Sequence, residues 1–402
     1  MADQALSGVT VCDLTHHIAG PFCTKLMADN GAEVIKVERP GVGDPTRHVG
    51  PFFHDDPHPE KSGLFLHLNT NKRSVTLNLK SREGRRVLLR MVEHADILVE
   101  SFSPRVMPSL GLSYDTLAQV NPRLVMVSVS NFGQTGPYRD YKSEEIVTYA
   151  MGGPMSATGQ PEREPIKLGG NVIQYHAGAS AAVAAMTALW AAEETGRGDH
   201  VDLSMMRAQA SSMDRRTTML VTYQYTGEVS SRRPAGSAVG VGVRPVADGY
   251  VSMTGDINRF RRLASMVGHP ELVQDPRFQG ANFSKPGRSE EFDELLIPWL
   301  LQFTKREAFR QLQESDIPSG PIYDVSDVLS DPHFSQRGAW ETIDHPATGK
   351  LTYPGRPFLM GATPWRVRRP APLLGEHNRE VLCGLLGFSA EELSGLRRSG
   401  VV

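Results

Sequence analysis

An α/β fold with a mainly parallel sheet, covered by helices on both faces, is the class this sequence predicts. Over the first 200 residues, short β-branched runs alternate with helical patterns, as strand–helix–strand units do. One long Ala- and Ser-rich stretch, 177–194, reads as a buried helix. Between Thr226 and Arg244 the composition turns to Gly, Ser, Arg and Pro, the mark of a linker or loop ahead of a second, smaller part.

The elements follow in order. Val9–Thr15 reads as a strand and Pro21–Asn30 as a helix, with proline in its first turn and Gly31 at its stop. Ala32–Glu38 is a second strand. Ser74–Lys80 is a third, whose alternation predicts one exposed face. Ser81 caps a helix running to about Ala95, with Glu83 in its first turn. Asp96–Phe102 and Leu124–Phe132 are further strands. Ala177–Glu194 carries so much alanine and serine that a neighbour must pack close to its backbone. After Thr195-Gly-Arg-Gly the chain returns as a strand, His200–Met205. Val246–Asp316 holds its own strand, Gly249–Thr254, and helical segments. Beyond Asp331 the chain is Pro-rich and ends in one helical segment, Asn378–Leu386; it lacks a core of its own and is expected to pack back on the first part. The domain reading is therefore 1–225, 226–330 with the linker, and 331–402.

The chain has 402 residues, 40% apolar and 22% charged, with a formal net charge of −2. That length supports two or three domains and a core that needs no disulfide or metal staple. Near-zero charge argues against nucleic acid as a partner. The three cysteines, Cys12, Cys23 and Cys383, are far apart, which excludes a disulfide framework and suits a reducing compartment. The start, Met-Ala-Asp-Gln, has no secretory pattern, and 177–192 is too short and too weakly apolar to span a bilayer, so a cytoplasmic protein without a membrane is expected. Neither a dinucleotide fingerprint, a P-loop nor a nucleophile elbow occurs. His54, Asp55, Asp56 and His58 lie among prolines in an irregular segment, read as a solvated loop, and no metal is expected.

Several longer blocks are more specific. They are Val11-x-Asp-Leu-Thr-x-x-x-Ala-Gly-Pro21, Gly31-Ala-Glu-Val-Ile-Lys-Val-Glu-Arg-Pro-Gly-Val-Gly-Asp-x-Thr-Arg47, Leu68-Asn-Thr-Asn-Lys-Arg-Ser-Val-Thr-Leu77 and Ala95-Asp-Ile-Leu-Val-Glu-Ser-Phe102. Asn121-Pro-Arg-Leu-Val125, Phe132-Gly-Gln-Thr-Gly-Pro137, Thr195-Gly-Arg-Gly-Asp-His-Val-Asp-Leu-Ser204, Asp275-Pro-Arg-Phe278 and Ala371-Pro-Leu-Leu-Gly-Glu-His-Asn378 follow. Together they resemble, in order and over essentially the whole chain, the class III CoA-transferase family, which includes carnitine and formyl-CoA transferases and α-methylacyl-CoA racemases. The resemblance implies a Rossmann-like large domain formed by both chain ends, an inserted small α+β domain, and an interlocked dimer. It implies coenzyme A or acyl-CoA as substrate, a carboxylic acid as second substrate, and no metal.

On matching positions the family places CoA-binding groups at His16, Arg39, Lys72, Phe102 and Lys142. CoA carries phosphates, which need cations and backbone donors. The family's arginine a few residues past the fourth strand falls at Ser109; Arg105, in the same loop, is its substitute here.

The reacting position departs from the pattern. The family's nucleophilic Asp lies four residues before the glycine that opens the long helix. That glycine is Gly178, so the position is Gln174, and no acidic residue lies between Ile166 and Ala192. A neutral amide cannot form the acyl anhydride that a carboxylate forms. Glu144 and Glu145 are the nearby carboxylates, and Glu145 best matches an acidic active-site position of the family. His176 is a base near Glu145 or a helix-start residue bonded to backbone. The leading reading is a CoA-transferase moving CoA between an acyl-CoA and an acid. Two alternatives stay open: a catalytically silent CoA-binding subunit, as homodimer or in a heteromer with a catalytic homologue, and an acyl-CoA lyase, dehydratase or isomerase using Glu145 or His176. The Gly-rich 236–242 loop is a mobile lid or a plain linker.

Overall fold

Apolar runs too short for helices become sheet strands because helices on both sides bury them. The computed structural model describes residues 4–212, 216–229, 232 and 238–402. The order through the first part is β1 (Thr10–Leu14), α1 (Ala19–Asp29), β2 (Glu33–Glu38), α2 (Gly63–Leu68), β3 (Lys72–Thr76), α3 (Arg82–Val92) and β4 (Ile97–Glu100). Then come α4 (Val106–Ser109), α5 (Tyr114–Val120), β5 (Val125–Ser130), α6 (Glu145–Met151), α7 (Val172–Thr195), β6 (His200–Ser204), α8 (Met205–Ser212) and α9 (Arg216–Thr226). Among the described residues the six strands form one parallel sheet in the order β3-β2-β1-β4-β5-β6.

The chain divides into two compact units. One lies within Met1–Ser156, Lys167–Val229 and Gln336–Val402, the other within Ala157–Ile166 and Ser230–Ser335. The stretch 157–166, which the sequence groups with the first part, thus belongs with the second unit. In the first unit one sheet face, with Leu98 and Met126, packs on α3 through Val87, Leu88 and Met91. The other face, with Ile97, Val99, Val125 and Val127, packs on α1 and α7 through Cys23, Met27, Ala181 and Ala185. Every residue of β4 and β5 is buried, which is why those strands read as continuous apolar runs.

Two expectations about the elements move. The third strand is Lys72–Thr76, buried along nearly its whole length, and not Ser74–Lys80 with an open face. Its Lys72 and Ser74 look polar enough for solvent, but buried partners absorb both. The long helix is Val172–Thr195, beginning five residues before the Ala-rich run, and it stops at Gly196 with φ +72°. The neighbour demanded by its small residues is α1: a Cβ on Gly178 would lie 2.5 Å from the Ala19 carbonyl oxygen. Ser81 caps α3 as expected, accepting from Gly84 N at 2.9 Å.

The second unit holds β7 (Val241–Val246), β8 (Gly249–Thr254), α10 (Ile257–Met266), α11 (Arg288–Leu300), α12 (Lys305–Glu314), β9 (Ser319–Pro321) and α13 (Val325–Ser330). Its antiparallel sheet, β7-β8-β9, covers a core that includes Val251, Phe260, Phe292 and Leu312. Of the 236–242 loop, Gly236 and Ser237 lie outside the described residues, and Val241 and Gly242 open β7.

After α14 (Pro332–Gln336), the last part of the chain is richer than one helical segment. It contains a hairpin, β10 (Trp340–His345) with β11 (Gly349–Pro354), a π-helical turn at Glu380–Leu385 and a terminal helix, α15 (Ala390–Arg398). A capping box between Ser389 and Glu392 starts α15, a signal visible in the sequence but not used there. The tail returns to β3: Asn378 accepts from Thr76 N at 2.8 Å, and Val381, Leu382 and Phe388 enter the core beneath α3.

Candidate active site

The strand order reverses between β1 and β4, and the crevice outside the C-terminal ends of such strands is where open α/β sheets take ligands. A cavity of about 980 Å³ opens there. The loop after β1 lines it from His16 to Gly20, the loop after β4 from Ser101 to Arg105, and Met205 follows β6. Residues 139–145 and the start of α7 close the other side.

Of the residues singled out in the sequence, His16, Phe102, Arg105, Lys142, Glu145 and Gln174 all line this cavity. The His16 ring meets Phe102 edge-on, with centroids 5.2 Å apart. Burial, with Lys36 nearby, holds the His16 imidazole below its ordinary pKa. Arg105 is exposed and engages both carboxylate oxygens of Asp140, at 2.9 and 2.6 Å. Its charge is therefore already matched at the rim. Asp140, Ser101 and Glu144 also line the cavity; only Glu144 among them was visible in the sequence as a site residue.

Arg39, Lys72 and His176 do not line the cavity. Arg39 is exposed beyond the end of β2. Lys72 is fully buried, its ammonium bonded to Asp13 at 3.0 Å, the Pro21 carbonyl at 2.9 Å and Asn69 at 2.9 Å. A cation enclosed by three acceptors presents nothing to a phosphate; burial pushes its pKa down to about 8 despite Asp13. Its sequence signal was real, but it reports an internal network. His176 is half-buried one turn into α7.

Glu145 has a defined job. Its carboxylate accepts from Ile173 N at 2.8 Å and Gln174 N at 3.3 Å, two of the orphan donors at the start of α7. Asn171 makes no side-chain cap there, so Glu145 supplies the anion that a helix N-terminus favours. Gln174 thereby sits with its backbone anchored and its side chain at the cavity wall. Glu144, immediately before α6, is exposed and lines the same wall.

Beneath the floor, Glu100 accepts from Phe102 N at 2.8 Å. Burial pushes its pKa up to about 7, against the hydrogen bonds from Ser128 and Phe102 N. Ser128 pairs with His200 Nε2 at 2.9 Å, and the His200 ring stacks on Tyr114. Among the described residues no group of three His, Cys, Asp or Glu side chains is placed to hold a metal ion, and no helix is long and apolar enough to cross a membrane.

The family profile described as CoA-transferase family III matches residues 6–378. A succinyl-CoA–D-citramalate CoA-transferase of Chloroflexus aurantiacus is 35% identical over 99% of this chain and 98% of its own length. A formyl-CoA:oxalate CoA-transferase of Streptomyces coelicolor is 34% identical over the full length of both. A succinate–glutarate CoA-transferase of Agrobacterium fabrum is 33% identical over 94% of this chain and 95% of its own. Among solved structures, a CAIB/BAIF family protein from Brucella suis superposes with a TM-score of 0.83 and 29% identity, over 95% of this chain and all of that one.

Proposed function

The chain belongs to CoA-transferase family III, and from that premise we propose that the cavity at the switch point takes a CoA thioester and passes its CoA to a carboxylic acid. The observation that carries this reading is the joint one: a full-length family match, and one cavity that gathers His16, Phe102, Arg105, Lys142, Glu145 and Gln174. The acids named for the relatives (citramalate, glutarate, oxalate) all carry two carboxylates, and we extend that class to this chain. Lys142, exposed at the cavity wall, supplies a cationic group of the kind an anionic cofactor needs.

Transfer through an enzyme-bound intermediate requires an ionised carboxylate as nucleophile. Gln174 supplies a neutral amide, and the carboxylate of Glu145 is already spent on two backbone N–H groups. Those two facts favour a second reading, in which this chain binds CoA and a homologous partner supplies the reacting carboxylate. His176 lies outside the cavity lining, so the lyase, dehydratase or isomerase alternative rests on Glu145 alone.

A dimer fits the surface of the first unit. Leu220, Val221, Tyr223 and Tyr225 of α9 are each more than half exposed. Large apolar side chains clustered in the open mark an interaction surface, and a second chain of this family is the partner we assign. The three cysteines are free, in keeping with a cytoplasmic location.

The test is trapping. The purified chain is incubated with succinyl-CoA, then hydroxylamine, and its peptides are weighed. We expect CoA binding in calorimetry, no hydroxamate on the parent chain, and a hydroxamate at position 174 in the Gln174→Asp variant. A hydroxamate on Glu144 of the parent would instead make this chain the catalyst by itself. Failure of the parent to bind CoA would sink the reading of the cavity.

A further inference from the structure

We propose that Lys36 and Asp44 are positioning residues that hold the first cavity loop, Thr15–Ile18, in its binding shape before any ligand arrives. The proposal rests on the reading of the cavity as the CoA site. Neither side chain lines the cavity; both are completely buried beneath it. Lys36 Nζ donates to the Thr15 carbonyl at 2.9 Å and pairs with Asp44 Oδ2 at 2.8 Å. The other oxygen of Asp44 accepts from Thr46 N at 2.8 Å and, at 3.4 Å, from His17 N. From the far side of the switch point, Ser101 Oγ accepts from His16 N at 2.8 Å. Asp13 accepts from Thr15 N at 2.9 Å and is itself matched by Lys72, which also holds the Pro21 carbonyl.

The consequence for the loop is specific. Three successive N–H groups, Thr15, His16 and His17, and the Thr15 carbonyl all end on buried or half-buried side chains. His17 stands at φ +64°, a left-handed conformation that strains a non-glycine residue. A free loop would relax out of it. Ion pairs buried to this degree add little net stability compared with an apolar pair of the same shape. Their geometry is what distinguishes them: four charged side chains, Asp13, Lys36, Asp44 and Lys72, converge on one turn between β1 and α1. Asp13 stays ionised because Lys36, Lys72 and the hydroxyls of Thr15 and Thr24 outweigh the burial that would raise its pKa. Binding to such a loop requires no ordering of backbone, and that preorganisation strengthens affinity.

Hydrogen exchange read by mass spectrometry on the full, ligand-free chain tests this directly. The His16 and His17 amides should exchange at least 100-fold slower than an unstructured peptide before CoA is added. Exchange at the unstructured rate until CoA is added would overturn the proposal. The double variant Lys36→Met with Asp44→Asn supplies the second measurement. It removes the ion pair while leaving an acceptor for His17 N, so we expect melting close to the parent and CoA affinity at least tenfold weaker. Parent-like affinity in a folded double variant also overturns the proposal. If that variant does not fold, the exchange result decides alone. If the parent binds no CoA, the reading of the cavity fails while the exchange result still judges the loop.

Discussion

The two walls of the cavity treat charge in opposite ways. The wall built on β1, β2 and β3 keeps its charges inside: Asp13, Lys36, Asp44, Arg47 and Lys72 are almost wholly shielded and all paired. The wall built from α6 and the start of α7 holds an exposed Glu144, a half-buried Glu145 and a neutral Gln174. One wall spends ions on shape. The other sets a neutral amide, Gln174, beside the carboxylates of Glu144 and Glu145 at the cavity surface. The buried ions that shape the cavity and the polar groups that face into it thus rest on different elements.

The largest expected effect lies in the first wall. Arg47 binds Glu38 through two nitrogens at 2.7 and 2.8 Å, reaches the Pro372 carbonyl at 3.0 Å, and lies 3.6 Å over the Phe65 ring. Arg47→Met leaves the buried Glu38 without its cation, holding only the Ser74 hydroxyl and Asp44 N, and breaking such a pair costs about 3–5 kcal/mol. Urea denaturation should show that loss; a cost under about 1 kcal/mol would mean the wall's ions are not structural.

Glu100, between the walls, gives a pH signature. Its ordinary value is near 4.5 and burial raises it to about 7 in the fold. The unfolded chain releases this proton first, so the native state holds more protons between those values and stability falls as pH rises through them. The penalty is complete above pH 7 and amounts to about 3 kcal/mol. Glu100→Gln keeps the shape without the charge. It should therefore be more stable than the parent at pH 8 and about equal at pH 4, read from denaturation at both. A difference that does not change with pH would refute the assignment.

The contact between α1 and α7 sets the spacing of the second wall. Gly178→Ala drives a methyl group toward the Ala19 carbonyl and the Phe22 side chain. Overpacking of this kind costs about 1–3 kcal/mol, and thermal melting measures it. Parent-like melting would show that the two helices part without cost.

Much of this was legible in the sequence. Strand–helix alternation gives β1, β2, β4, β5 and β6 to within a residue or two, and the small residues of α7 announce a close neighbour. What misled was polarity taken as exposure. Ser74 reads as the start of a strand with one exposed face, yet it and Lys72 are buried, because the partners Asp13 and Glu38 come from distant segments that no local window contains. Lys72 entered as a CoA-binding group through the family resemblance, which carries no information on the partners that bury it here. Conversely, nothing in the sequence singles out Ser101 within its block, and Asp140 lies outside every block. They matter because the fold brings Ser101 to His16 N and Asp140 to Arg105, over separations of 85 and 35 residues.

The smallest effect separates the two walls most sharply. Glu145 lies on the reactive side, yet its bonds to Ile173 N and Gln174 N are structural. Glu145→Gln retains an acceptor for one N–H and removes the negative charge at the start of a 24-residue helix, which costs about 0.5–1 kcal/mol. If Glu145 is a cap, this variant binds CoA within a few-fold of the parent. In a Gln174→Asp background it then leaves transfer from succinyl-CoA to glutarate within about tenfold, through a modest shift of the α7 start. If Glu145 is instead the group that carries the acyl or CoA, the same substitution abolishes transfer at unchanged CoA affinity. Binding and turnover measured on these two backgrounds therefore decide whether Glu145 on α6 only caps α7 or itself reacts.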